Sequence, residues 1–556
     1  MHRVDFLTAT PRFVTVLALA AAAGCSSPEV KVGDDNRAAT TTLTMVSPAD
    51  ADALIPSLVS TTQGKQVVDQ LFDRLAEPVS PVETVGDGGF RPQLANGWSW
   101  SPDSLSIAFA INPKARWHDG TPVRAEDVRF SFALYTDPAV ASPQRDAFEG
   151  IDSVTVRDSL TAVVWWHARH PEQFFQLAYN LLVMPEHLLA SIARDSLGSS
   201  AFADRPVGSG RYRFERWARQ QALVLTADRA NYRGAPQVQR LIWVVAPDPA
   251  AANLRLLAGE ADVLELVRGD AYVQARQSSR VRTVEYPSLD YGYLLFNYDR
   301  AVSGVPRLFA DHTLRVALTQ AIDRKAIVAN ALDSLGSVAM GPFTHATTGA
   351  DTTLQQLAFD TAAASQALDA RGWRRGADGL RRKGGRVLTF DLLFPSTSST
   401  RQRMAVLLQE QFKRIGVTTT VTAVEPAVFG ARLEEGTFDA ALNVWRTDPS
   451  PSTIRQVWGS PRGSSSGANI GANFSRYRNA TFDARIDSAA REFNPTTRRA
   501  LFRRAWQTIV DDAAAVWLYE PRNVAAVHRR VTPTDLRADA WWASLSAWQV
   551  EPTTPP

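Results

Sequence analysis

Apolar and polar positions follow two different periods along the chain, and these periods predict an alternation of strands and helices. Residues 42–47 (TLTMVS) alternate between apolar and polar, the pattern of a strand with one buried face. Residues 64–78 (GKQVVDQLFDRLAEP) instead repeat their apolar side chains at helical spacing and end at a proline. Short strands and helices then alternate to about residue 204.

The pattern continues in two further regions. One begins at PVGSGRYRFERW (206–217), and the other runs from about 294 to 511 with its own strands and helices. The tail AAAVWLYEPRNVAAVHRRV (513–531) contains apolar runs on both sides of EPRN, which is typical of buried strand. No internal repeat is present. The sequence therefore predicts an α/β protein rather than an all-helical or a repeat protein.

Length and composition limit the class of protein. At 556 residues the chain is too long for a single core, so two or three domains are expected. Apolar residues make up 45% and charged residues 21%, the proportions of a globular protein. The net charge of +3 comes from 60 basic and 57 acidic residues mixed along the chain. The most basic run (371–386) is broken by glycines and acids and predicts a solvated hairpin, so no nucleic-acid partner is expected.

The N-terminus has the layout of an export signal. Two arginines precede an apolar run (13–23) that is too short to span a bilayer, and small residues follow it. The run ends in LALAAAAGCSS, which resembles a bacterial lipobox and places Cys25 at the acylation position. We therefore expect a lipoprotein signal peptide at 1–24, a flexible tether at 25–41, and a lipid anchor on the periplasmic face of a bacterial membrane. The alternative is an ordinary cleaved signal that leaves Cys25, the only cysteine, as a free thiol.

One stretch concentrates proton-handling groups as an active site would. RWHDGTPVRAEDVRFSF (116–132) contains His118, Asp119, Glu126 and Asp127 within ten residues. However, Asp-Gly is a turn pair, and carboxylates in a first helical turn offset the positive end of the helix dipole. We interpret this cluster as a turn followed by a helix start, with a structural role.

Other candidates for chemistry are weak. Ser465 lies in GSSSG, which matches the spacing of a nucleophile elbow but is flanked by a Gly/Ser/Asn loop instead of a strand and a helix. His167 and His170 are three residues apart, without an evident third metal ligand. No catalytic residue, metal site or cofactor is predicted, and the chain is not expected to be an enzyme.

Residues 92–132, which begin with PQLANGWSW and end with the stretch above, closely resemble the signature region of family 5 of the bacterial extracellular solute-binding proteins. PVGSGRYRF resembles that family's Pro-Gly-Thr-Gly-Pro-Tyr turn, with Ser209 and Arg211 departing from it. LLFNYDRAV, LRVALTQAIDRKAIV and LLQEQFKRIGVTTTV follow in the family's order. The likeness extends over nearly all of 42–550.

The resemblance implies a two-lobed, periplasmic-binding-protein-like clamp (type II, cluster C-like) with an extra subdomain inserted in the first lobe. Lobe I would comprise 42–290 and 512–556, with the subdomain at about 76–202. Lobe II would comprise 291–511. Two chain crossings would form a hinge, with ligand buried between the lobes.

The resemblance also implies ligand-binding positions. In peptide-binding members, a tryptophan three residues ahead of an aspartate lines the cleft, and the aspartate pairs with the peptide's N-terminal ammonium. Trp445 and Asp448 match these two positions. The further candidates are Arg446, Tyr291, Tyr293 and Asn297 for the cleft wall, with Arg401, Arg403 and Arg446 as alternatives for a peptide carboxylate.

The function implied is capture of short peptides outside the cytoplasm for an ABC importer. The expected partners are the peptide, the permease subunits and, through the anchor, the membrane; the protein is expected to be a monomer. Two alternatives stay open: the same fold binding a nickel chelate, opine or sugar, and an extracytoplasmic hydrolase.

Overall fold

Two large β-sheets, each with its own hydrophobic core, organise the computed structural model, which describes residues 41–460 and 471–552. The predicted signal peptide, Cys25, nearly all of the tether and Ser465 lie outside the described residues. Within them, no helix combines the length and apolar character needed to cross a bilayer.

The first sheet has seven strands and forms the centre of the first lobe. The strand predicted at 42–47 is present as Thr42–Ser47, and it runs parallel to both of its neighbours. Its side chains serve two cores: Leu43 and Met45 enter the large core of the lobe, whereas Val46 enters a smaller core on the opposite face. In sheet order the strands are Val281–Tyr286, Asn523–His528, Val263–Leu264, Thr42–Ser47, Arg240–Val245, Ala222–Ala227 and Tyr212–Ala218. The helices of this lobe outside the subdomain are Thr62–Leu71, Pro249–Ala258 and Gly269–Gln277.

A four-stranded antiparallel sheet lies within the range predicted for the subdomain. Its strands in sheet order are Ala95–Trp100, Ser106–Ile111, Thr161–Trp166 and Ile151–Asp158. Its helices are Ala125–Thr136, Gln173–Asn180, Glu186–Leu189 and Ala201–Asp204. The helix Ala125–Thr136 packs across two of these strands and shares the first lobe's large core.

The second lobe is built on a six-stranded mixed sheet. The run TFDLLFP is buried on both faces, as expected for a strand with a parallel neighbour, and it pairs in parallel with Thr418–Val424. In sheet order the strands are Gly336–Ser337, Ala515–Pro521, Asp290–Phe296, Ala440–Arg446, Thr389–Pro395 and Thr418–Val424. The helices are His312–Gln320, Arg324–Ala331, Thr361–Ala370, Ser399–Arg414, Pro426–Glu435, Ile454–Trp458, Ala480–Arg491 and Pro495–Asp511.

Short strands complete the fold. The basic run predicted as a hairpin forms a small three-stranded sheet. The short strands are Arg374–Arg375, Arg381–Lys383 and Arg386–Val387, then Ala76–Pro78 paired with Phe90–Pro92, and Val531–Thr532 paired with Gln549–Val550.

The chain crosses between the two large sheets at two adjacent points. Residues 287–289 join Val281–Tyr286 to the second sheet, and Arg522 alone separates Ala515–Pro521 from Asn523–His528. The two crossings are tied together, because Asn523 donates to the carbonyl of Pro287 at 3.2 Å. The boundary predicted at residue 512 is therefore wrong: Ala515–Pro521 belongs to the second lobe, and the crossing lies at Arg522.

Candidate ligand-binding site

A polar cavity of about 540 Å³ lies between the lobes. The first lobe supplies most of its wall, and the second lobe contributes residues 446–448 and Gln456. This volume is within the range of about 300–1,000 Å³ that small-molecule sites occupy. The charged residues of the wall are Lys65, Arg74, Arg91, Arg211, Arg233, Arg446, Arg537, Asp69, Glu77, Asp448, Asp535 and Asp539.

Asp448 lies on the loop that follows the strand Ala440–Arg446, and this loop fixes one of its two oxygens. Oδ1 accepts hydrogen bonds from the backbone N–H of Ser450 at 2.8 Å and from the hydroxyl of Thr453 at 3.2 Å. Nothing in the described part of the chain donates to Oδ2. The turn thus holds the carboxylate at the cavity wall with one oxygen available to a ligand.

The electrostatic surroundings of Asp448 favour a cationic ligand group. Burial, together with the nearby charge of Glu172, raises the pKa of Asp448 to about 7 against the opposing effects of the Ser450 N–H and the Thr453 hydroxyl. The cation that acts on Asp448 is Lys65, an exposed residue of the first lobe. A ligand ammonium bound here would supply the missing charge partner.

A buried ion pair joins the lobes beside the Asp448 loop. Glu172 of the first lobe meets Arg498 of the second at 2.9 Å, and their side chains are only 12% and 4% exposed. Glu172 also accepts hydrogen bonds at 2.8 Å from Ser450, across the lobe boundary, and from Thr84. The loop that holds Asp448 is therefore linked directly to the contact between the lobes.

Comparison with known proteins assigns this two-lobed arrangement to a family. The family described as "Bacterial extracellular solute-binding proteins, family 5 Middle" matches residues 89–466, more than half of the chain. The chain belongs to this family. Proteins of this family act outside the cytoplasm, and the sequence resemblance noted above is confirmed.

Individual relatives agree with the assignment. The chain is 25% identical over 429 residues to the oligopeptide-binding protein AppA of Bacillus subtilis (strain 168), covering 76% of this chain and 77% of the relative. The solved structure of AppA from Bacillus subtilis in complex with a nonapeptide has a TM-score of 0.75 at 22% identity, covering 92% of this chain and 99% of the other. NikZ from Campylobacter jejuni in complex with Ni(L-His) gives 0.76 at 22% identity, covering 91% and 99%. These structures share the fold, so the predicted two-lobed clamp is confirmed.

Two more predicted site residues lie near Asp448 in this family 5 protein, with different surroundings. Arg446 lines the cavity, donates to the carbonyl of Ala538 at 3.0 Å and lies 3.6 Å from Asp290. Trp445 is half-buried against the second-lobe core and is not among the cavity-lining residues. Arg446 thus bridges the lobes at the cavity, whereas Trp445 is packed as a core side chain.

Tyr291, Tyr293 and Asn297 do not line the cavity, and their predicted role there is not supported. The strand that carries both tyrosines is buried on both faces, so each enters the second-lobe core. Tyr291 accepts a hydrogen bond from the indole of Trp458 at 3.1 Å, and Tyr293 accepts one from Asn443 at 3.0 Å.

Asn297 has an internal role of its own. Its amide donates to the carbonyls of Gly436 and Phe438, at 2.8 and 3.0 Å, and so ties the strand end to the neighbouring loop. Both N–H groups of its side-chain amide donate within the second lobe, so neither is available to a ligand.

Of the three arginines proposed for a ligand carboxylate, only Arg446 reaches the cavity. Arg403 donates to the carbonyl of Ala331 at 2.8 Å and lies 3.5 Å from Asp333. Burial lowers the pKa of Arg401, which is half-buried on the second lobe away from the cavity.

The cluster at 116–132 has the structural role expected from its sequence. The Asp127 carboxylate accepts from the backbone of Arg124 at 2.8 Å, from the backbone of Glu186 at 2.9 Å and from the indole of Trp117 at 3.2 Å. His118 accepts from the N–H of Gly208 at 3.1 Å and meets the carbonyl of Gly210 at 2.9 Å. These contacts close the helix start and fasten it to the turn at 208–210.

The two histidines considered for a metal make separate contacts. His167 lies 3.3 Å from Asp152, and His170 lies 3.2 Å from the amide oxygen of Gln176. Across residues 41–460 and 471–552, no group of three or more His, Cys, Asp or Glu side chains is arranged to hold a metal ion.

Most of the cavity wall was not predicted. The arginines at 74, 91, 211, 233 and 537 all line it, and the tail contributes Asp539 and Trp542. One sequence signal was present, since Arg211 departs from the family's turn at a position where proline is usual.

Proposed function

We propose that this protein is the substrate-binding component of an ABC importer and that it captures short peptides between its two lobes. The observation that carries the proposal is Asp448, a carboxylate with one free oxygen and a raised pKa at the wall of the interlobe cavity. The relatives point to the same ligand class, since AppA of Bacillus subtilis is an oligopeptide-binding protein.

The proposed recognition uses two features that all short peptides share. An extended peptide offers the same backbone donors and acceptors whatever its side chains, so pairing with the cavity wall is tolerant of sequence. The carboxylate of Asp448 selects a free amino terminus through a charge-assisted hydrogen bond. Trp445, placed against the core beneath the same loop, would support the position of Asp448 instead of touching the ligand.

Closure of the lobes is the proposed signal to the permease. A ligand shifts the receptor toward the closed form only if it binds that form more tightly. The cavity draws on both lobes, and the Glu172–Arg498 pair and the Glu172–Ser450 hydrogen bond lie beside Asp448. Ligand at Asp448 therefore adds to contacts that exist only when the lobes meet.

The proposal also covers the oligomeric state, location and partners of the protein. It acts as a monomer that holds its ligand and does not alter it chemically, so it is not an enzyme. Cys25 would carry the lipid anchor that keeps it on the periplasmic face of a bacterial membrane. Its partners are a peptide, the permease subunits and the membrane.

The test is to incubate the purified protein with a mixture of short peptides, to recover the bound peptides and to determine their masses by mass spectrometry. A peptide receptor returns the peptides intact and melts at a higher temperature in their presence. Shortened peptides would establish a hydrolase instead. Nickel or a similar ion, found by elemental analysis together with no peptide, would favour a metal chelate as ligand.

A further inference from the structure

Arg211 reaches the cavity from a turn that is packed tightly against the first lobe. The two glycines of this turn, Gly208 and Gly210, leave no room for a side chain. A Cβ on Gly208 would lie 1.8 Å from the carbonyl oxygen of Leu71, and a Cβ on Gly210 would lie 2.3 Å from the carbonyl oxygen of Gln70. The turn is therefore held against the end of the helix Thr62–Leu71. Arg211, the next residue, extends from this fixed point to the cavity wall.

The guanidinium of Arg211 has no carboxylate partner. Its Nη atoms donate to the hydroxyl of Ser546 at 3.0 Å and to the carbonyl of Arg233 at 3.2 Å, while its Nε is buried without a hydrogen bond. No Asp or Glu of the described residues lies within salt-bridge distance of it. The five other arginines of the wall each have one: Arg74 with Asp69, Arg91 with Glu77, Arg233 with Asp73, Arg446 with Asp290, and Arg537 with Asp539.

The acidic side chains around Arg211 are already paired with other residues. Asp73 is fully buried and is shared by Arg233 and the hydroxyl of Tyr232, and Glu77 is paired with Arg91. Burial and the neighbouring charge of Arg233 lower the pKa of Arg211 and outweigh the opposing charges of Glu77 and Asp73. A half-buried positive charge without a carboxylate in direct contact costs stability, and an anionic group of a ligand would reduce that cost.

This cation also distinguishes the chain from the family pattern it resembles. The family's turn has proline where Arg211 stands, and proline carries no side-chain donor. A guanidinium, in contrast, offers up to five N–H donors arranged to meet a carboxylate. The remaining donors of Arg211, on a rigid turn at the cavity wall, are therefore a feature of this chain.

We propose that Arg211 is an anion-binding residue of the cavity and that the preferred peptides place a carboxylate against it. The inference rests on the proposed function and narrows its ligand class: the ammonium would bind Asp448 of the second lobe, and the carboxylate would bind Arg211 of the first. A ligand with opposite charges at these two points would pull the lobes together. The carboxylate is either the C-terminus of the peptide or an acidic side chain.

The experiment measures affinities by calorimetry for matched peptides that differ only in charge. Starting from a peptide that binds the wild-type protein, the C-terminal carboxylate is replaced by an amide in one analogue, and each Glu is replaced by Gln in another. We expect one of the two changes to weaken binding about 10- to 100-fold, the usual range for a hydrogen-bonded charge. Which change does so identifies the source of the carboxylate.

The variant Arg211→Gln then assigns the effect to this residue. It should bind the acidic peptide as weakly as the wild type binds the neutral analogue, and it should no longer distinguish the two. Arg211→Lys should recover part of the discrimination, because it keeps the charge. Arg91→Gln, a change at a wall arginine that is already paired, should keep the full discrimination.

Two results would overturn the inference while leaving peptide binding intact. One is a wild-type protein that binds acidic and neutral analogues equally. The other is a folded Arg211→Gln variant, checked by circular dichroism, that still prefers the acidic peptide. If Arg211→Gln does not fold, equal binding of the two analogues by the wild type still overturns the inference, and the reduced discrimination expected of Arg211→Lys assigns the effect to this residue. Binding of no peptide at all would instead end both the inference and the proposed function.

Discussion

The turn at 116–132 and the loop around Asp448 both hold buried titratable groups, yet they use them differently. In the first, Asp127 accepts three hydrogen bonds from the protein and His118 is engaged at both ring nitrogens. In the second, Asp448 uses only one oxygen, and burial raises its pKa to about 7. The first site has four acidic or histidine side chains within ten positions, and the loop around Asp448 has one.

If Asp448 binds the ligand as proposed, then the internal pairing of titratable groups, and not their number, separates the ligand site from the structural one. A group whose hydrogen-bonding capacity is met inside the protein has nothing left for a ligand. A group that is buried, charged and incompletely paired costs stability until a ligand completes it. Asp448 and Arg211 meet the second description, and both lie on the interlobe cavity.

The largest expected effect is at Asp448. Asp448→Ala should weaken the binding of a peptide with a free amino terminus by about 2–5 kcal/mol, because the ammonium is then buried without a partner. Isothermal titration calorimetry on the folded variant measures the change.

Asp535→Asn is the matched control, since it neutralises an exposed aspartate of the same cavity wall. It should change the affinity by less than about 0.5 kcal/mol. If Asp448→Ala has as small an effect as Asp535→Asn, Asp448 is not the ammonium site.

The second largest effect is expected on folding stability, and it concerns the turn at 116–132. Asp127→Ala removes the acceptor of three hydrogen bonds and leaves buried donors, among them the indole of Trp117, without partners. We expect the free energy of unfolding to fall by about 2–3 kcal/mol. Urea denaturation measures the loss.

Asp119→Ala, on the same turn but with a partly exposed carboxylate paired to His187, should cost less than about 1 kcal/mol. Peptide affinity should be unchanged in both variants. A loss of affinity in folded Asp127→Ala, with stability preserved, would reverse the roles assigned to the two regions.

Local patterns account for most of the secondary structure but not for the lobe boundary. The alternating run at 42–47 predicts its strand correctly, because alternation is a property of neighbouring residues. The strands Ala515–Pro521 and Asn523–His528 are both buried along nearly their whole length, yet they belong to different sheets. Nothing local distinguishes them, since the choice of sheet depends on pairing with strands far away in the sequence.

The same limit applies to the site. The family resemblance predicts Asp448 as a cleft residue, and the structure has it at the cavity wall. Tyr291 and Tyr293 were misplaced because a strand buried on both faces sends every side chain into the core. The setting of Arg211 depends on Ser546, 335 positions away, so its departure from the family turn could be noticed but not interpreted.

A smaller effect is the pH dependence of binding. In the ligand-free protein the pKa of Asp448 is raised to about 7, and an ammonium partner would lower it, so the complex binds fewer protons. Peptide affinity should therefore fall as the pH drops below about 7, by at most about tenfold per pH unit. Titrations between pH 5 and pH 8 test this, and Asp448→Asn or an N-acetylated peptide should remove the dependence. A flat profile in the wild type would contradict the unpaired carboxylate.

The smallest expected effect is a pH dependence of folding stability that comes from His118 in the cluster at 116–132. Burial lowers the pKa of His118 to about 4, so the folded protein binds this proton less tightly than the unfolded chain does. The stability from neutral His118 is fully present above the unfolded pKa near 6.5 and is lost as the pH falls toward 4. Because His118 keeps some contact with solvent, we expect this contribution to be only about 1 kcal/mol. His118→Gln keeps one donor and one acceptor without titrating, so its free energy of unfolding should fall less than that of the wild type between pH 7 and pH 4.5. If the free energies of unfolding of the two proteins change in parallel with pH, His118 is as easily protonated in the folded protein as in the unfolded chain. The cluster would then be less completely paired internally than its contacts indicate.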